Sequence, residues 1–190
     1  MSTLKVDSLV EKTSGNGVHI AGHVMGVWQD KTDTPMFFDH GGLTYSDFGL
    51  SILVTPVAAT SKFLMRCHIY TPLGANDHNP NGGAAFSYQV GGTRYYPHNA
   101  STHTNTWNYN SHSMLEEDDG LSGANISNID YVSKVVSGEV LFSPNTTSQI
   151  DFNLGYHGAD KFRVNQGGSG LSGASYNRGW TTLTVMEIAQ

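Results

Sequence analysis

The stretch from Ser148 to Gly158, SQIDFNLGYHG, alternates apolar and polar residues with a period of two. Ile150, Phe152, Leu154 and Tyr156 fall on one side, and Gln149, Asp151 and Asn153 on the other. Successive side chains of an extended chain point to opposite faces, so this pattern predicts a half-buried β-strand. The segments LSILVTP, SKFLMRCHIYT, YVSKVVSGEVLFSP and KFRVNQ read the same way, and AFSYQV and TRYYP flank Gly91-Gly92 as a hairpin. WTTLTVMEIA is apolar on both faces, with Leu183 and Val185 set against Met186 and Ile188, so it needs cover on both. No segment shows a helical period. Charged residues are only 14% of the chain and glycines number 22, which leaves little material for helix surfaces. The fold class expected is all-β, a jelly-roll-like β-sandwich.

Residues 1–30 read as a separate N-terminal β stem and residues 31–190 as the sandwich. In the stem, TLKVDSLVE alternates, SGNG turns, and VHIAGHVMGVW alternates again. Val24, Gly26 and Trp28 are expected on one face and Met25 and Val27 on the other. A lone hairpin is marginal in water. Its apolar side chains would each contribute about 1.5–3 kcal/mol if buried, and three copies around an axis would bury them while removing free strand edges. The expected trimer interface is therefore Leu4, Val6, Val18, Ile20, Val24, Met25, Val27 and Trp28. The alternative is that residues 1–30 pack onto their own sandwich. Residues 31–49 read as an irregular connector in which Met36, Phe37 and Phe38 plug onto the core. Residues 97–130 form a long polar tract rich in Asn, Ser, Thr and His.

A net charge of -6 with scattered basic residues argues against nucleic-acid binding. No run of about 18 apolar residues predicts a membrane span, and MSTLKVDS lacks the basic start and apolar core of a secretory signal. The single cysteine, Cys67, shares a face with Phe63, Met65 and Ile69 and reads as a small buried hydrophobe. An intracellular assembly route fits one unpaired cysteine.

Motifs of chemistry are weak. His19 and His23 would form axial rings on a threefold, but Gly22 interrupts the strand, and no metal or other cofactor is expected. LEEDDG at 115–120 lacks the alternating oxygen ligands of a calcium loop, and adjacent acids do not give the separation that glycoside cleavage needs. GSGLSG at 168–173 matches a dinucleotide fingerprint only literally, without a following helix. No catalytic role is expected. Tyr95, Tyr96, Trp107 and Tyr109, in or beside the polar tract, are the candidate ligand-binding residues. Aromatic faces stack on sugar rings while neighbouring Asn, Ser and His bond hydroxyls.

The phrase STLKVDSLVEKTSGNGVHI resembles the opening of fibre proteins of tailed bacteriophages, especially those of marine and cyanobacterial hosts, and TTLTVMEIAQ resembles the last strand of their C-terminal domains. The resemblance covers roughly the first 30 and last 10 residues. It implies a virion structural protein assembled in the host cytoplasm, a homotrimer that contacts other virion proteins and whose distal domain meets the host surface, including its glycans. The chain departs from long tail fibres in having one short stem and no shaft repeats, which fits a head or tail appendage or a fibre tip. A lectin-like carbohydrate-binding module without a virion role is the alternative.

Overall fold

A computed structural model of the chain describes residues 22–39, 44–72, 82–97, 133–158, 161–165 and 179–190. These form ten strands: β1 (Val24–Thr32), β2 (Met36–Asp39), β3 (Thr44–Val54), β4 (Lys62–Pro72), β5 (Gly82–Val90), β6 (Thr93–Tyr95), β7 (Ser133–Phe142), β8 (Ile150–Gly158), β9 (Lys161–Val164) and β10 (Thr181–Ile188). Among the described residues there is no helix, so none is long and apolar enough to cross a membrane. The protein is all-β.

Two four-stranded antiparallel sheets face each other. The first has the order β1-β10-β4-β7 and the second β3-β8-β5-β6, with β2 and β9 forming a small third sheet. The chain passes repeatedly between the two large sheets, which is the connectivity of a jelly roll. The alternation that predicts the strands also explains why they stack. Phe63, Met65, Cys67, Ile69, Leu183 and Val185 point inward from the first sheet, and Leu50, Ile52, Phe86, Phe152 and Leu154 from the second. Phe63 meets Phe152 across the interior with ring centroids 4.9 Å apart.

The segment read as an irregular connector, residues 31–49, holds the end of β1, all of β2 and the first part of β3. Its alternation is masked by a bulge. Asp47 pairs with Gly155 and Leu50 with the adjacent Leu154, so two extra residues are inserted in β3. Gly49 permits this with a φ of 73°, which other residues rarely adopt. The looped-out Phe48 then enters the core and lies parallel to Phe162 at 6.0 Å. Met36 and Phe38 pack against the core as expected, whereas Phe37 is turned out beneath the guanidinium of Arg163.

The stem reading is corrected from Val24 onward. β1 pairs along its length with β10 and is an edge strand of the sandwich. A bulge shifts its register between Val24 and Gly26, so Val24 faces outward while Gly26 and Trp28 face inward. Trp28 therefore packs against its own core, its ring lying directly over Gly26. Val24 and Val27 are exposed and Met25 is half-buried. Leu4, Val6, Val18 and Ile20 lie outside the described residues. At this edge Asp30 joins the sheets, its carboxylate accepting from the Ser51 amide at 3.1 Å. The fully buried Asn165 ties β1 to β10, its side chain donating to the Thr32 carbonyl and accepting from the Thr181 hydroxyl.

Cys67 is buried, and that burial pushes its thiol from 9.0 up to about 12. In the unfolded chain the thiol ionises near its ordinary value, while the folded chain resists ionisation. Stability is thus retained below pH 9 and lost as pH rises toward 12. The loss from this group should approach about 1.4 kcal/mol per pH unit within that window. Urea unfolding on either side of pH 9 should show the decline, and Cys67→Ala should make it shallower.

Candidate functional site

The outward residues of the second sheet form a continuous polar and aromatic face. Register places Tyr45 opposite His157, Asp47 opposite Gly155, Ser51 opposite Asn153 and Leu53 opposite Asp151; on the far side of β8, Ser87 lies beside Asn153 and Gln89 beside Asp151. Two small residues, Gly155 and Ala85, leave a trough in the middle of this face. Tyr45 lies across it from the edge strand β3, and its phenol oxygen accepts from the Ser87 hydroxyl at 2.8 Å. Arg94 reaches back from the opposite edge, with its guanidinium 4.1 Å from the centre of the Tyr45 ring. It donates to Ser87 at 2.6 Å and makes a two-pronged pair with Asp47 at 3.2 and 3.0 Å. The two edge strands are three strand spacings apart, about 14 Å in a flat sheet. The pair closes only because long side chains converge over residues that have almost none.

This clasp fixes the local electrostatics. Burial, helped by the negative Asp47, raises the Tyr45 pKa far above its ordinary value and keeps the phenol neutral. Burial also raises Tyr96, against the opposing pull of Arg94. Asp47 and Arg94 neutralise each other, and a planar two-pronged pair is stronger than a single-point contact.

Beside the clasp the face opens into a cleft of about 450 Å3 lined by Leu53, Gln89, Gly91, Gly92, Ser148, Gln149 and Asp151. Its polar wall is wired together. The Asp151 carboxylate accepts from Ser51 at 2.6 Å and from the Asn153 amide at 3.0 Å, and Gln89 donates to the Asn153 carbonyl at 3.3 Å. A carboxylate and two amides around an exposed leucine, with two glycines letting backbone approach closely, suit a polyhydroxylated ligand. Hydroxyls would donate to Asp151, and an apolar ring face would rest on Leu53.

The structure separates the two adjacent tyrosines singled out in the sequence. Tyr96 lies on this face, edge-on to Tyr45 at 5.8 Å and to His157 at 5.7 Å. Tyr95 points to the other side, stacked on Tyr88 at 5.3 Å, which in turn stacks on Phe142 at 4.9 Å. It extends the core rather than the polar face, as alternation on a strand requires. Trp107 and Tyr109 lie outside the described residues, as do LEEDDG and GSGLSG. Among the described residues no three His, Cys, Asp or Glu side chains gather as metal ligands. Sequence reasoning missed Tyr45, Asp47, Gln89, Arg94 and Asp151 because each is an ordinary polar position of an alternating strand. The available signal was Gly155, a residue without a side chain in the middle of a strong strand.

No protein-family model matches the chain, and a search of curated proteins finds none similar to it.

Proposed function

We propose that this chain is a homotrimeric structural protein of a tailed-bacteriophage virion, a fibre tip or a head or tail appendage, that contacts host-surface glycans. Its role is assembly and adhesion, not catalysis. The observation that carries the adhesion reading is the cleft on the outer face of the second sheet. Asp151, Gln89 and Gln149 there surround an exposed Leu53 on a rigid strand scaffold. The virion reading is supported by the opening phrase STLKVDSLVEKTSGNGVHI and the closing TTLTVMEIAQ. Three such clefts at fixed spacing would convert weak single-site binding into useful avidity.

The test is binding of the full chain to a panel of bacterial surface polysaccharides, with Asp151→Ala and Gln89→Ala as variants. Loss of a hydrogen-bonding carboxylate should weaken binding by at least about tenfold, measured at a temperature where both variants are folded, because Asp151→Ala also removes an acceptor from the buried Asn153 amide and should cost about 1–3 kcal/mol of stability. Variants that bind as tightly as the parent would remove the cleft from the reading. Antibodies against the chain should label purified virions. Glycan binding without virion labelling would favour a lectin-like module that has no virion role.

A further inference from the structure

The cleft beside the clasp carries charge of one sign. Asp151 is the one ionisable residue in its lining. Its Oδ1 accepts both internal bonds, from the Ser51 hydroxyl and from the Asn153 amide, and its Oδ2 has no partner among the described residues. Asp30 brings a second carboxylate close by, accepting from the amide of the same Ser51 at 3.1 Å. Among the described residues neither acid forms an ion pair with a lysine or arginine. Arg94 stands opposite Gln89 in the β5–β6 register. Its guanidinium turns away from the cleft, however, and is spent on Asp47 and Ser87. The negative charge of the cleft is therefore left for a ligand to balance.

We propose that the sugar this cleft takes carries a protonated amine and that acidic polysaccharides are excluded from it, an inference that rests on the adhesion reading above and narrows its ligand class. An ammonium brings three donors and no acceptor. The wall offers acceptors to match: Oδ2 of Asp151, and the side-chain carbonyl of Gln89, whose amide nitrogen is already given to Asn153. A hydrogen bond between opposite charges is roughly twice as strong as a neutral one. A sugar bearing a carboxylate meets the reverse. It faces like charge in Asp151 and Asp30, and the lining holds no cation to offset the repulsion. The apolar ring face rests on Leu53 in either case, so the amine sets selectivity and the leucine sets general fit.

The test is calorimetric titration of the full chain with three oligosaccharides of equal length: glucosamine oligomers, their N-acetylated forms, and uronic acid oligomers, in a mildly acidic buffer that keeps the sugar amine protonated. The glucosamine oligomer should bind at least about tenfold more tightly than its N-acetylated form, and the uronic acid oligomer most weakly. This ranking needs no variant. The chain carries -6 overall and attracts any cation in a general way, so two isosteric variants locate the effect. Asp151→Asn keeps an acceptor for Ser51 and Asn153 but removes the charge, and should bring the amine preference to within about twofold. Glu139→Gln removes the same charge from the first sheet, where Glu139 pairs with Arg66, and should leave the preference intact. A parent that binds none of these oligomers and no bacterial polysaccharide overturns the adhesion reading and this inference together. A parent that binds the N-acetylated or the uronic acid oligomer as tightly as the amine form overturns the inference alone. A preference that survives Asp151→Asn, or that Glu139→Gln lowers equally, also overturns it.

Discussion

Gly155→Ala should destabilise the protein by about 3 kcal/mol, a large effect for one methyl group, because the site is overpacked on two sides. A Cβ at this position would lie 2.6 and 2.7 Å from Cζ and Oη of Tyr45 and closer still to the backbone carbonyl of Ser46. The ring can swing away, but the carbonyl belongs to the β3–β8 ladder and cannot retreat without breaking it. For a chain of this size the midpoint of thermal unfolding should fall by roughly 6–12 °C. The double variant Tyr45→Ala, Gly155→Ala separates the two causes. Its cost should be at least about 1 kcal/mol less than the sum of the single costs, since residues in contact are coupled. Additive costs would place all the strain on the carbonyl. A midpoint within 2 °C of the parent for Gly155→Ala would show that the trough is not tightly filled.

The same glycine shows how far the sequence could be read. SQIDFNLGYHG announces a strand through its even alternation, and the structure forms β8 there, though as an interior strand with both faces buried from Phe152 to Tyr156 rather than the half-buried strand that alternation predicts. The Gly91-Gly92 hairpin was legible for the same reason, since it is local, whereas of the two faces of WTTLTVMEIA expected to be covered only the one with Leu183 and Val185 is buried among the described residues. The bulges were not legible. Gly49 lets β3 absorb two residues, and the shift near Gly26 turns Val24 outward. Such events change which side chains share a face without changing composition. They hid β2 and the start of β3 within an apparent connector and made β1 look like part of a stem.

The candidate site was harder to read because it is built by convergence. Arg94 and Asp47 are 47 residues apart and sit on opposite edges of one sheet. Only the strand order β3-β8-β5-β6, together with the missing side chain at Gly155, brings them together. Aromatic residues in the polar tract drew attention because loops often bind ligands. The open cleft among the described residues instead lies beside the β5–β6 hairpin, lined by polar residues that the sequence offers no reason to single out.

Phe152→Ala should have the largest effect of any single truncation, about 3–5 kcal/mol. Phe152 is fully buried at the point where the two sheets touch. Its ring lies 4.9 Å from Phe63, 6.3 Å from Phe142 and 6.5 Å from Tyr88. Removing it opens a cavity bounded by both sheets, and the rigid ladders on either side of β8 prevent the walls from collapsing into it. Phe152→Leu keeps most of the volume and should cost no more than about 1.5 kcal/mol. Because Tyr88 also carries Tyr95, the alanine variant should loosen the exposed β6 edge before global unfolding. Amide exchange at Thr93–Tyr95 should therefore quicken more than stability alone predicts. Urea unfolding of the two variants, read beside exchange at β6, checks both statements. An alanine variant as stable as the leucine variant would mean that the sheets are held together elsewhere.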